Sequence, residues 1–440
     1  MSAARIVVVG TGYVGLTTGA CLASLGHRVT CVDVDEAKVA RLSAGRVDIL
    51  EPGLAELVAG GIAGGRLSFV VGAREAVRTA DGVFLCVPTP MGAGGSADLR
   101  AVEAVTAEIG DVLPAGCALI TKSTVPVGTS KRIAAMLGRD DVPVVSNPEF
   151  LREGTAVSDF LNPDRIVVGS DTHAAARWVG DLYADLGAPV VVADAASAEL
   201  VKYAANCFLA LKLSYVNSIA ELCERLGADI NLVTEGMGYD KRIGRTFLKP
   251  GPGWGGSCLP KDTSALVKVA ESVNYDFRML TSAIDENIAQ RDRIVAKIAG
   301  ACGGTLAGAR IGVLGLAFKA GTNDLRDSPA LAVSSVLGAL GAEITAYDPA
   351  VDGGLPGLGG GMTVVDDPYQ VAKDADVIVV LTEWAEFKNL DWTVIAEAME
   401  GDDVVDTRNL LDPTTIIDAG LSWQGVGRPR AAGRKRVAVS

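Results

Sequence analysis

Short, unbroken apolar runs punctuate the first half of the chain at 6–9, 29–32, 67–71, 83–87, 118–120, 142–145, 166–168 and 190–192. The segments between them, 99–112 for example, read as helices. Runs this short and uniformly apolar predict strands covered on both faces, and their alternation with helices predicts a parallel sheet. After residue 300 the pattern returns, with runs at 310–319, 344–348, 377–381 and 404–406 and a helical segment at 330–340. Between the two series, residues 195–226 contain neither glycine nor proline and are apolar around most of the helical circumference. That predicts one helix of about 30 residues, which must be buried, with a second subunit as a natural cover.

The first apolar run leads into Gly10-Thr-Gly12-Tyr13-Val14-Gly15, and the next strand ends in Asp33. Strand, G-x-G-x-x-G, helix and acid at this spacing predict a dinucleotide site: the glycines allow a tight turn and close approach of a pyrophosphate, and the acid accepts from the adenosine ribose. Asp33 would repel a 2′-phosphate and Val34-Asp-Glu36 offers no arginine to receive one, which favours NAD over NADP. In the second series the glycines at 312 and 315 do not make this pattern, so that half should bind something other than a second dinucleotide.

Three strand-like runs end in kinked polar segments, Val87-Pro-Thr89-Pro90, Lys122-Ser-Thr124-Val-Pro126 and 146–153. Ligands of open sheets sit beyond the carboxyl ends of the strands, so these segments should face one crevice. Lys202 and Asn206, four residues apart on the long helix, project from one face and need partners or a function if that face is buried. Residues 249–262, Lys-Pro-Gly-Pro-Gly-Trp-Gly-Gly-Ser-Cys-Leu-Pro-Lys-Asp, place Cys258 where a glycine- and proline-fixed path should run into a helix starting near Thr263. The positive end of a helix favours a thiolate, so Cys258 is a candidate nucleophile; the alternative is a buried structural thiol.

Assembled, these residues resemble the nucleotide-sugar 6-dehydrogenase family over 1 to about 425, through 10–15, 87–90, 122–126, 147–154, 199–206, 253–262 and 315–319 in order. The resemblance implies an α/β protein with two Rossmann-like doubly wound domains joined by a long central helix. The parts are an NAD domain at 1–195, a helical dimerisation domain at 196–300, a nucleotide-sugar domain at 301–425 and a basic tail at 426–440. The implied reaction takes the C6 alcohol of UDP-glucose, or a close pyrimidine-nucleotide glucose, to the acid with two NAD per sugar; the alternatives are GDP-mannose and a UDP-N-acetylhexosamine.

The resemblance also assigns roles. Asp262, alone or through a water held with Lys202, takes the alcohol proton; Cys258 captures the aldehyde as a thiohemiacetal, later a thioester; Lys202 and Asn206 stabilise the oxyanion; Glu149 and Thr124 handle the hydrolytic water. Asp33, Lys38, Thr89, Thr124, Glu153 and Arg326 join Gly10, Gly12, Tyr13, Val14 and Gly15 as cofactor contacts. Phe150, Leu151, Glu153, Lys202, Asn206, Phe247, Leu248, Gly251, Gly255 and Lys319 are the implied substrate contacts. Arg242 matches an arginine that reaches the sugar of the neighbouring subunit in a homodimer.

Composition narrows the rest. A length of 440 residues predicts two or three domains, and a net charge of −13 disfavours nucleic acid and requires cations gathered in a cleft for an anionic ligand. The scattered cysteines have no C-x-x-C spacing and there are only two histidines, which argues against a zinc site or a disulfide framework. No run reaches the roughly 18 apolar residues of a membrane span. The N-terminus shows no secretory signal pattern, so a cytoplasmic location is expected. Residues 428–436 read as a solvated basic tail.

Overall fold

The computed structural model describes residues 3–351 and 362–432. They form two compact units, one of residues up to 205 with 264–275, the other of 206–263 with 276 onward, so that residues 196–300 are divided between them.

In the first unit, β1 (Arg5–Val9), β2 (Arg28–Asp33), β3 (Leu67–Val71), β4 (Gly82–Leu85), β5 (Ala118–Thr121), β6 (Val144–Ser146), β7 (Ile166–Gly169) and β8 (Val190–Ala193) form one sheet in the order β3-β2-β1-β4-β5-β6-β7-β8. The interior strands β4, β5 and β7 are buried along their whole length, as uniformly apolar runs require. One expectation needs correction, because β6 and β7 meet antiparallel, through Ser146 and Gly169. The 147–165 connection is spent on a polar loop and the six-residue helix Ala156–Leu161, and does not cross back over the sheet as a parallel pairing would need.

The second unit repeats the scheme in β9 (Arg310–Leu314), β10 (Glu343–Tyr347), β11 (Met362–Val364), β12 (Val377–Val380), β13 (Asp403–Asp406) and β14 (Ser422–Gly425), all parallel, in the order β11-β10-β9-β12-β13-β14. The long helix is there as Ala195–Leu226, 32 residues without a break.

The two sheets differ where a nucleotide would sit. In the second, Asp348 follows β10 as Asp33 ends β2, but it is buried and accepts from Leu316 N (2.7 Å), Ala317 N (2.9 Å) and Trp384 Nε1 (3.0 Å). Gly315, like Gly10, has no room for a Cβ, which would lie 2.4 Å from Thr382 Cβ. What distinguishes the second turn is that its acid is buried and shared with the Trp384 indole, whereas Asp33 is half-buried and pairs with Lys38.

The basic stretch at the C-terminus is anchored as far as 432. Trp423 and Ala431 exchange backbone hydrogen bonds (2.8 and 2.9 Å), Arg428 lies over the Trp423 ring and pairs with Asp229 (3.3 Å), and Arg430 pairs with Asp403 (2.5 Å). This corrects the expectation of a solvated tail from 426; residues 433–440 lie outside the described residues.

Replacing Asp348 by alanine orphans two buried backbone donors and the half-buried Trp384 indole at once, each worth about 1–3 kcal/mol. Urea unfolding of Asp348→Ala should show a loss of about 3 kcal/mol or more; a loss below about 1 kcal/mol would contradict the role given to this carboxylate.

Candidate active site

β1 runs into Gly10, whose φ of +97° and contact with Cys86 exclude a side chain: a Cβ there would be 2.7 Å from Cys86 O. A Cβ on Gly15 would be 1.8 Å from Gly10 O, whereas one on Gly12 would meet nothing within 4 Å. Gly12 precedes the helix Tyr13–Ser24, whose first turn no side chain caps. Free N–H groups and open space at a helix N-terminus fit a pyrophosphate. Val14 packs on the core below.

Asp33 accepts from Thr11 N (3.0 Å) and the Thr11 hydroxyl, from Val34 and Asp35 N, and pairs with Lys38 (3.2 Å). Burial works to raise its pKa; the hydrogen bonds from Thr11 and Asp35 and the Lys38 charge outweigh it and hold the carboxyl at about 2. An ionised acid at this strand end suits NAD.

The three polar segments lie at the carboxyl ends of β4, β5 and β6 and bond to one another. Thr89 Oγ1 donates to Thr124 O (2.9 Å), and both residues are buried. Glu149 is buried, pairs with Lys202 (3.0 Å) and accepts from Leu151 N (2.6 Å). The Phe150 ring carries the Arg165 guanidinium at 3.6 Å from its centroid, with Lys202 Nζ at 5.3 Å. Glu153 is half-buried and its charge acts on Tyr13. Glu199, the first residue of the 199–206 stretch, has a structural role, capping the helix Thr129–Leu137 through Gly128 N, Ser130 N and Ser130 Oγ.

Two residues here were assigned no role from the sequence. Buried Glu51 receives the Tyr13 hydroxyl and Gly154 N (2.8 Å), joining the helix of the nucleotide turn to the 147–154 segment, and no spacing announces it. Lys122 is only 5% exposed; its ammonium reaches Asn147 Oδ1 (3.0 Å) and Tyr183 OH (3.3 Å), and burial pushes its pKa down to about 8.

In the second unit, Asn287 holds both backbone groups of Trp254, accepting from its N–H (2.7 Å) and donating to its C=O (3.0 Å). The indole of Trp254 donates to Ser214 Oγ (2.9 Å). A Cβ at Gly255 would be 1.9 Å from Asp327 O, and one at Gly256 (φ +80°) would be 2.7 Å from the Phe318 ring. The loop so fixed delivers Cys258, half-buried, directly ahead of the helix Leu259–Ser272. That helix starts four residues before the expected Thr263, because Pro260 falls in the first turn, where a missing N–H is harmless. Asp262 is 0% exposed; Asn206 Nδ2 donates to its Oδ2 (2.6 Å) and Lys261 Nζ pairs with its Oδ1.

The 247–251 segment begins with Phe247 at φ +60°, a conformation rare for an aromatic residue, and buries Leu248. Gly251 donates to Asn217 Oδ1 (2.9 Å) and accepts from Gln290 Nε2 (2.8 Å). Arg408, also missed, sits against Gly251 and donates to Phe318 O (3.1 Å) next to Lys319, so one guanidinium joins both stretches expected to hold substrate. It follows β13, and the rule that ligands gather beyond carboxyl strand ends could have found it. Lys319 lies over the Phe318 ring. Arg326 and Arg242 are surface residues, each in a two-pronged pair with Asp324 and Asp240, and the Arg242 side chain is 89% exposed.

The models of the UDP-glucose/GDP-mannose dehydrogenase family match the chain in three consecutive parts: the NAD binding domain at 4–187, the central domain at 196–289 and the UDP binding domain at 312–413. The chain belongs to this family. It is 43% identical to the UDP-glucose 6-dehydrogenase TuaD of Bacillus subtilis, over 98% of this chain and 94% of that one. It is also 43% identical to the UDP-glucose 6-dehydrogenase of Rhizobium meliloti, over 97% and 100%. The solved UDP-glucose dehydrogenase of Pyrobaculum islandicum superposes with a TM-score of 0.88 at 39% identity, covering 97% of this chain and 98% of its own.

The depressed pKa of Lys122 has a sign. Folding favours the neutral amine, so the wild type carries its full penalty below pH 8, and the penalty is relieved as pH rises from about 8 to the ordinary 10.5. Lys122→Met should therefore raise Tm below pH 8, with the gain shrinking toward pH 10.5. A gain that does not vary with pH would contradict this.

Proposed function

We propose that this protein oxidises the C6 alcohol of UDP-glucose to the carboxylate, with Cys258 carrying the sugar between the two oxidations. The observation that carries the reading is the thiol itself, set at a helix start by a loop that tolerates no side chain at Gly255 or Gly256, in a chain whose first domain is an NAD binding domain. When bound, NAD accepts a hydride from C6 at each oxidation.

The alcohol proton leaves with the first hydride. Asp262 is fully buried with both oxygens engaged, so it takes this proton through a water and also fixes the Asn206 amide. The Cys258 thiolate adds to the aldehyde carbon, forming a C–S bond and an oxyanion that Lys202 and Asn206 stabilise, each donor contributing about 3 kcal/mol. Loss of the second hydride leaves a thioester. Water, oriented by Thr124 and deprotonated by Glu149, attacks it; the C–S bond breaks and the thiolate returns.

Lys319, Arg408 and the 247–251 segment receive the nucleotide diphosphate, and they are the cations that an anionic substrate needs in a protein of charge −13. Glucose rather than mannose or an N-acetylated hexose is supported by the relatives at 43% identity. Eight free cysteines, six of them buried, fit the reducing conditions of the cytoplasm.

The homodimer forms on the central helix. Phe208, Tyr215 and Leu222 follow one another at intervals of seven and are all exposed, Phe208 by 62%, and Leu226 at the helix end is 79% exposed. A seven-residue apolar stripe left bare on a single chain suits a second copy of the same helix. Arg242, bare on the surface, then completes the partner's site.

Wild type should form two NADH per UDP-glucose consumed, and Cys258→Ala should form no sugar acid; acid at the wild-type rate from that variant would sink the mechanism. In sedimentation, Phe208→Lys with Tyr215→Lys should shift a dimer to monomer. An unchanged dimer would remove the central helix from the interface.

A further inference from the structure

Lys122 and Asn147 directly follow adjacent strands, β5 and β6, and their backbone and side-chain groups together tie four strands to one another. Lys122 N donates to Leu85 O (3.0 Å) and Asn147 N to Thr121 O (2.9 Å). Asn147 Nδ2 donates to Val167 O (2.8 Å), and Asn147 Oδ1 receives both the Lys122 ammonium (3.0 Å) and the Tyr183 hydroxyl (2.7 Å). The rings of Phe160 and Tyr183 face the ammonium at 5.8 and 5.3 Å, and the charges of Glu149 and Lys202 and the Cys86 thiol act on it from neighbouring elements. Among the described residues no carboxylate comes within ion-pair distance of Lys122. A buried ammonium without a counter-ion destabilises a fold relative to an apolar side chain of the same length, so stability does not explain this lysine.

Position does. Lys122 lies two residues before Thr124, and Asn147 two residues before Glu149, with the rigid Pro148 between. We propose that Lys122 is a positioning residue for the hydrolytic half of the reaction: by locking the β5 end to the β6 end through Asn147, it sets Thr124 and Glu149 in register around the attacking water. The inference rests on the thioester reading above. The nucleotide turn at 10–15 and Cys258 lie on other segments, so the hydride steps feel this lock only through the Glu149–Lys202 pair and Thr124, and depend on it less than the hydrolysis does.

The test is pre-steady-state NADH formation by Lys122→Met with UDP-glucose and NAD. The variant should give a burst of two NADH per active site at close to the wild-type rate, followed by steady-state turnover at least tenfold slower. Its Tm below pH 8 should be no lower than that of wild type. Equal slowing of burst and steady state, or an unchanged steady state, would overturn the proposal. If wild type itself fails to give two NADH per sugar, the thioester reading fails first and separately. Should Lys122→Met not fold, Tyr183→Phe removes only the hydroxyl that braces the pair. It should keep the burst and slow the steady state several-fold; no slowing, or slowing of both phases alike, overturns the proposal.

Discussion

The amide of Asn287 grips both backbone groups of Trp254, and the geometry of the thiol depends on that grip. A side chain that both donates to and accepts from one residue fixes its backbone, and being buried the pair is worth more than its two hydrogen bonds would be in water. The next residues have nowhere else to go. Gly255 passes the carbonyl of Asp327 and Gly256 the ring of Phe318 with no room for a Cβ, and Cys258 emerges at the first turn of a helix. The Cys258 thiol is positioned by exclusion.

The two sheets show how one architecture is turned to two uses. Asp33 is half-buried and ionised, next to a glycine turn with open space at Gly12. Asp348 occupies the matching position and is consumed by Leu316, Ala317 and Trp384. In the second unit Lys319 and Arg408 lie on the loops after β9 and β13, where the Arg408 guanidinium donates to Phe318 O. Fold alone does not assign function, and here the difference lies in a few polar contacts.

Much of this was legible in the sequence, because the signals were periodic or local. Uniform apolar runs gave strands, a glycine-free stretch gave the 32-residue helix, and G-x-G-x-x-G gave the nucleotide turn. What escaped depends on contacts distant along the chain. The antiparallel step between β6 and β7 follows from how a connection returns, the ordering of 426–432 from pairs with Asp229 and Asp403, and the roles of Glu51 and Lys122 from partners some 100 and 25 positions away. The early start of the Cys258 helix was hidden by Pro260, which reads as a breaker but is tolerated in a first turn.

Cys258 as carrier of the sugar is the claim on which the proposed chemistry stands. Acid-quenching the enzyme during turnover with UDP-glucose and NAD, then mapping the peptides by mass spectrometry, tests it directly. The prediction is a nucleotide-sugar acyl group on the peptide containing Cys258 and on no other cysteine peptide. Acid formation with Cys258 unmodified throughout, or the adduct on a different residue, would contradict it.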